Sequence, residues 1–167
     1  MEKTDRWSLG TLCPSLKVLV TCFILTLMAG YAVALLQVNE RTRFDLAQTL
    51  LHYRGAEEGG IHLPQSFGTL LSVSHVHTFS QPVMLVLVGL LFSLSRVTEK
   101  AKVIFILLSF AGSVLSNAAP WLIRYSDPRT AVLLPVSQMA LFISFFVMAF
   151  VVLRDTWRRK GEGEEDE

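Results

Sequence analysis

The chain has 167 residues, 51% of them hydrophobic and only 17% charged, with a formal net charge of +1. A soluble domain carries about 25% charged residues, so this composition, with a mean hydropathy of +0.47, excludes an ordinary water-soluble domain, and the balanced charge excludes a basic nucleic-acid binder. The charges gather in short segments separated by long uncharged runs, which is the pattern of a membrane protein.

Residues 1–17, with Lys3, Arg6 and Lys17, form a cationic N-terminal segment. The first apolar run, 18–38, is longer than the roughly 7–15 residues of a signal-peptide core. It reads as a retained signal anchor, although Ala32 to Ala34 ("AVA") mimics a cleavage site. Cys13 and Cys22 make no CxxC, CxxCH or lipid-attachment pattern, and Cys22 reads as a small core residue of this span. The connection over 39–69 contains "RTRFDLAQTLLHYRG", where Phe44, Ala47, Leu50 and Leu51 recur at helical spacing and Gly55 is a stop signal. This predicts a short amphipathic helix on the membrane surface, followed by a flexible "GAEEGG" turn and the approach "IHLPQSFG".

Three further runs, 70–95, 103–123 and 131–153, contain no Asp, Glu, Lys or Arg. About 20 residues rising 1.5 Å each cross a bilayer, so all four runs are long enough to span. The expected fold is an all-α membrane protein, a four-transmembrane-helix bundle over 18–153 with a short amphipathic helix in the outer loop. The tail, 154–167, ends in "GEGEEDE", which has no apolar residue to bury and is expected to be disordered. The N-terminal segment, the second-to-third connection (Arg96, Lys100, Lys102) and the tail (Arg154, Arg158, Arg159, Lys160) carry ten Lys and Arg, against five (Arg41, Arg43, Arg54, Arg124, Arg129) on the other side. The positive-inside bias puts both termini in the cytoplasm of a bacterial inner-membrane protein and the 39–69 loop outside.

The polar residues within the spans gather towards that outer side. On a helix, Ser74, His77, Thr78 and Gln81 share one arc, whereas His75 points almost opposite, alongside Phe79 and Pro82. His75 and His77 therefore cannot chelate one ion from a regular helix, since two ligands on one face need i, i+3 or i+4 spacing; Pro82 is expected to kink the helix near Thr78. Ser109, Gly112, Ser113, Ser116 and Pro120 form a stripe on the third span with Asn117 beside it, and Ser137 and Gln138 lie near the outer start of the fourth. Polar groups in hydrocarbon need partners and should face one another in the bundle. Small and hydroxyl residues are also the ordinary material of helix packing. Trp121, Arg124 and Tyr125 in "PWLIRY" read as interface anchors.

All four histidines fall on the outer side. A candidate ligand or metal pocket consists of His75, His77, Gln81, Asn117 and Gln138, with His52, His62, Met84 and Met139 as possible additional ligands for a transition metal. The spacing is not a metal signature, and the pair equally suits helix packing. Haem b needs axial ligands from two directions, and only the second span carries histidine, so a loop histidine, a methionine or a second subunit would have to supply the other. No carboxylate or lysine sits in the spans and the histidines lie near one face, which disfavours a coupled transporter. No nucleophile motif or carboxylate pair appears, so an enzyme is not expected.

With "HYRG", "LPQSFGTLLSVSHVHTFSQPVMLVLVGLLF" and "PWLIRY" in view, most of residues 16–158 resembles small bacterial four-helix inner-membrane proteins of unassigned activity. The shared pattern is a His-x-His pair opening the second span after a Pro-x-Ser approach, matched here by Pro64, Ser66, His75 and His77. The resemblance implies a fold and no activity. The expected role is a non-enzymatic membrane component contacting lipid and partner subunits, an accessory subunit of a redox or metal-handling complex. A haem- or quinone-binding electron-transfer subunit and a purely structural partner protein are the alternatives.

Overall fold

The computed structural model describes residues 8–56 and 62–158. Lys3, Arg6, most of the "GAEEGG" turn and the acidic tail lie outside the described residues. Five α-helices follow in order: α1 Pro14–Thr42, α2 Leu46–Arg54, α3 Phe67–Ser93, α4 Glu99–Tyr125 and α5 Leu133–Trp157. A 3-10 turn, Pro128–Val132, leads directly into α5, and another, Leu9–Thr11, precedes α1. Among the described residues there is no strand. Four helices are long and apolar enough to cross a membrane: α1, α3, α4 and α5 with its leading turn. The protein is an all-α, four-span membrane protein with a short extra helix between the first two spans.

The helices run past the apolar stretches that mark them in sequence. α1 continues through Asn39–Thr42, α4 begins at Glu99 and α5 ends at Trp157, because a helix keeps its backbone bonds satisfied into the polar headgroup zone. Each start is capped where the sequence allows it: Ser66 Oγ accepts from Thr69 N, Thr98 Oγ1 from Ala101 N, and Asp45 from Gln48 N. α3 runs as a continuous helix through Pro82.

The α4–α5 contact is the most extensive in the bundle, and Gly112 is the reason. A Cβ on Gly112 would lie 2.9 Å from Leu141 N and 3.0 Å from Ser137 O, so only glycine lets the two backbones approach this closely. Buried Ser109, Ser113, Ser137 and Ser144 surround the contact, and Ser109, Ser137 and Ser144 return their hydroxyls to carbonyls of their own helices. Nearer the end that carries the 94–98 turn, Val20, Ile24, Val88, Phe92, Phe145, Met148 and Val152 form a continuous apolar core.

That end is closed by Asp155. Its Oδ2 accepts from Arg96 N at 2.8 Å, while Oδ1 pairs with Arg154 at 2.8 Å. The carboxylate thus ties the turn after α3 to the last turn of α5. Trp157 Nε1 donates to Thr21 Oγ1 at 2.9 Å and joins α5 to α1.

At the opposite end α2 lies across the bundle. The chain turns from α1 into α2 through Arg43 and Phe44, both in the left-handed region with φ of 48° and 52°. Two consecutive non-glycine residues there are uncommon. Leu50 and Tyr53 pack onto Ala119, Ile123, Ala131 and Leu134, and Arg54 Nη1 donates to Ile123 O at 3.0 Å and Ser126 O at 3.2 Å, capping the C-terminus of α4. The helix is present as the spacing predicts, but its predicted apolar face is only partly used. Phe44 precedes the helix and is 64% exposed, and Ala47 is exposed as well, because the left-handed turn rotates α2 so that Thr49, Leu50 and Tyr53 face the bundle.

Candidate functional site: a polar cleft between α1 and α3

α1 packs on α5 and α2 but makes only sparse contact with α3. Where the two diverge, a cavity of about 450 Å³ opens beneath α2. One face of α1 (Tyr31, Ala34, Leu35, Val38, Arg41) forms one wall and one face of α3 (Leu70, Val73, Ser74, His77, Gln81) forms the other. Both sets follow the i, i+3, i+4 spacing that places side chains on a single helical face. Ser116, Asn117 and Pro120 of α4 and Leu134 and Gln138 of α5 form the back, and His52, Tyr53 and Gln65 border the mouth.

The floor is a fixed hydrogen-bond network. Gln81 Oε1 accepts from Ser113 Oγ at 2.7 Å and from Asn117 Nδ2 at 2.8 Å. With the oxygen so engaged, Gln81 Nε2 lies 3.4 Å from His77 Nδ1. An amide nitrogen can only donate, so His77 Nδ1 accepts and its proton sits on Nε2. Asn117 Nδ2 also donates to Ser113 O at 2.9 Å, which leaves Asn117 Oδ1 available as an acceptor. The floor therefore offers a ring N–H donor, an amide carbonyl and the unpaired amide of Gln138.

At the mouth, burial and the Arg41 guanidinium hold the His52 imidazole below its usual pKa. The Tyr53 hydroxyl is pushed up, chiefly by burial. Among the described residues neither a carboxylate nor a lysine lines the cavity, and Arg41 is the one formally charged residue there.

Of the residues singled out in sequence, His77, Gln81, Asn117, Gln138 and His52 line this cavity. His75 does not: it turns away and packs edge-on against Phe79, ring centroids 5.1 Å apart, because two positions along an unbroken helix are about 200° apart. His62 lies exposed on the connection into α3, and Met84 and Met139 lie on other faces of α3 and α5. The metal expectation is not met in the geometry: among the described residues no three His, Cys, Asp or Glu gather into a group that could hold an ion. Two of the expected interface anchors also join segments. Trp121 Nε1 donates to Ser74 Oγ at 2.7 Å, and Arg124 Nε donates to Gln65 O at 3.1 Å while its guanidinium lies over the Tyr125 ring.

Sequence reasoning missed Tyr31, Arg41, Tyr53 and Gln65. A signal for Arg41 existed, since it continues the 31–34–38 stripe, but ending the span at 38 hid it.

Fold and cavity together define a multi-pass integral membrane protein with a polar cleft at one end of its bundle. Within that class, the chain belongs to the Aq_1264_TM family, a transmembrane helical domain whose family model matches residues 43–163. The match starts immediately after α1, so the cleft lies between the family domain and the preceding span. No curated protein and no solved structure matches the chain.

Proposed function

We propose that the protein is a non-enzymatic, accessory component of a bacterial inner membrane that holds a small lipid-phase molecule in the cleft between α1 and α3. The observation that carries this reading is the floor, where His77, Asn117 and Gln138 line one cavity of about 450 Å³ and His77 Nε2–H, Asn117 Oδ1 and the Gln138 amide are not used by the hydrogen bonds among the described residues. Ligand pockets fall in the range of roughly 300–1,000 Å³, with mostly apolar walls and a few placed polar groups. Leu35, Val38, Leu70, Val73 and Leu134 supply such walls, and the sparse contact of α1 with α3 leaves a side entrance towards lipid. The lack of carboxylate or cysteine among the lining residues favours binding over acid–base or nucleophilic chemistry. The Lys and Arg bias of the sequence orients both termini to the cytoplasm and the cleft outward.

The test is a mass-spectrometric comparison of organic extracts from purified wild type and Val73→Trp, which fills the cleft. A small molecule retained by wild type and lost from the variant is the expected result. Identical extracts from two equally well-folded preparations would overturn the reading.

A second reading, a haem-binding electron-transfer subunit, gains from one observation: His52 on α2 and His77 on α3 approach the same cavity from different elements, the arrangement that axial ligation requires. A Soret band in the purified protein, lost in His77→Ala, supports it; a colourless preparation removes it.

A further inference from the structure

We infer that the molecule held in the cleft carries an oxyanion, a carboxylate or phosphate, bound by Arg41 at the mouth while its uncharged body extends towards the His77–Asn117 floor; this rests on the ligand-cleft reading above.

Among the described residues the charge of the cavity is one-sided: Arg41 lines it and no described Asp, Glu or Lys does. No described carboxylate pairs with Arg41: the ion pairs among the described residues, Glu99–Lys102 and Arg154–Asp155, lie at the other end of the bundle. A guanidinium at the rim of an apolar-walled cleft is matched best by a planar or tetrahedral oxyanion, which its forked donors engage in pairs. The other polar side chains at the mouth are suited to the same partner. Gln37, Gln65 and His52 line the same cavity and carry groups able to donate N–H, and their side chains make no hydrogen bond to a described residue. A cationic ligand would meet uncompensated positive charge, and a neutral one would leave the guanidinium unmatched.

The wall below supports a body attached to that anion. Tyr31, Ala34, Val38 and Arg41 share one face of α1, and the ten-residue rise from Tyr31 to Arg41 is roughly 15 Å. A ligand anchored at Arg41 therefore has a continuous apolar path to the hydrogen-bonding floor. It can reach this position from the membrane, between α1 and α3, or from water through the mouth under α2.

The full-length protein in nanodiscs of zwitterionic phosphatidylcholine tests both the chemistry and the source. Binding of dodecanoate, dodecyl phosphate, dodecanol and benzoate is measured by calorimetric titration for wild type, Arg41→Gln, Arg41→Lys and Val73→Trp. The expected result is that at least one of the anionic probes binds, that Arg41→Gln weakens it about tenfold or more, and that Arg41→Lys, which keeps the charge but not the fork, weakens it less than Arg41→Gln does. Binding of the dodecyl anions alone assigns the ligand to the lipid phase; binding of benzoate as well assigns it to a soluble organic acid. Dodecanol binding as tightly as dodecanoate, or Arg41→Gln binding like wild type, overturns the anion inference. If that dodecanol binding disappears in Val73→Trp, the cleft reading survives the loss. Failure of all probes also overturns the anion inference, and the extract comparison then decides the cleft reading by itself.

Discussion

Gln81 on α3 accepts from Asn117 on α4 at 2.8 Å through the same oxygen that accepts from Ser113 at 2.7 Å. One amide carbonyl thus serves two donors of the neighbouring helix, and its nitrogen sets the direction of the His77 ring. Replacing Gln81 with Leu keeps the bulk, removes the acceptor of the Ser113 hydroxyl and leaves Asn117 Nδ2 with its bond to Ser113 O alone. The expected loss is about 1–2 kcal/mol, more than the roughly 0.6 kcal/mol of a single interhelical bond. Reversible unfolding in mixed micelles checks it; a Gln81→Leu variant as stable as wild type would show that the network contributes nothing.

Gly112 meets Leu141 and Ser137 backbone atoms at distances that admit no Cβ. Gly112→Ala should cost about 1–3 kcal/mol and Gly112→Val more, by prising α4 from α5. Gly30, which has open space around it, is the control: Gly30→Ala should leave the melting temperature unchanged or raise it.

Arg54 holds α2 down by donating to two carbonyls at the end of α4. Arg54→Met removes the donors and keeps the stem. Amide exchange over residues 46–54 should speed up in this variant, with α4 and α5 protected as before. Unchanged exchange over α2 would show that Leu50 and Tyr53 alone hold the cap.

His52 has a folded pKa below its unfolded value, through burial and then Arg41. The unfolded chain binds the proton more readily, so the stability this residue contributes is full above the unfolded value near 6.5 and is lost as pH falls through the folded pKa. Wild type should lose melting temperature between about pH 7 and 5, and His52→Gln should lose less over the same range. Parallel pH profiles would overturn this.

Cys13 caps the start of α1 and is exposed at the end opposite the cleft, and hydrogen bonding from Ser15 lowers its thiol pKa. In a Cys22→Ser background, a membrane-impermeant maleimide should label Cys13 only after cells are permeabilised. Labelling of intact cells would place the N-terminus outside and turn the cleft towards the cytoplasm.

The spans were legible because hydrocarbon leaves a compositional mark: four uncharged runs predict four helices, and four span-length helices are found. The side-chain arc of Ser74, His77 and Gln81 was legible for the same geometric reason, a fixed 100° per residue. What escaped was whatever depends on a neighbour in space. The left-handed Arg43–Phe44 turn sets which face of α2 packs, and no residue there announces it as a glycine would. Arg54, counted only as a loop charge, caps a helix that begins 45 positions later. Asp155, placed in a tail expected to be disordered, closes the far end of the bundle. The bonds of Trp121 and Arg124 to Ser74 and Gln65 were invisible because those partners belong to a different segment.

The docking of α1 onto α5 has a consequence for how the protein is made. Val20 and Ile24 of α1 rest in a core built with Phe145, Met148 and Val152 of α5, a helix synthesised well after α1. The close-fitting α4–α5 hairpin can zip as a neighbouring pair, whereas α1 must wait in the bilayer until α5 has been made. Until then the cleft lacks one of its sides, so any occupant arrives only after α5 is in place.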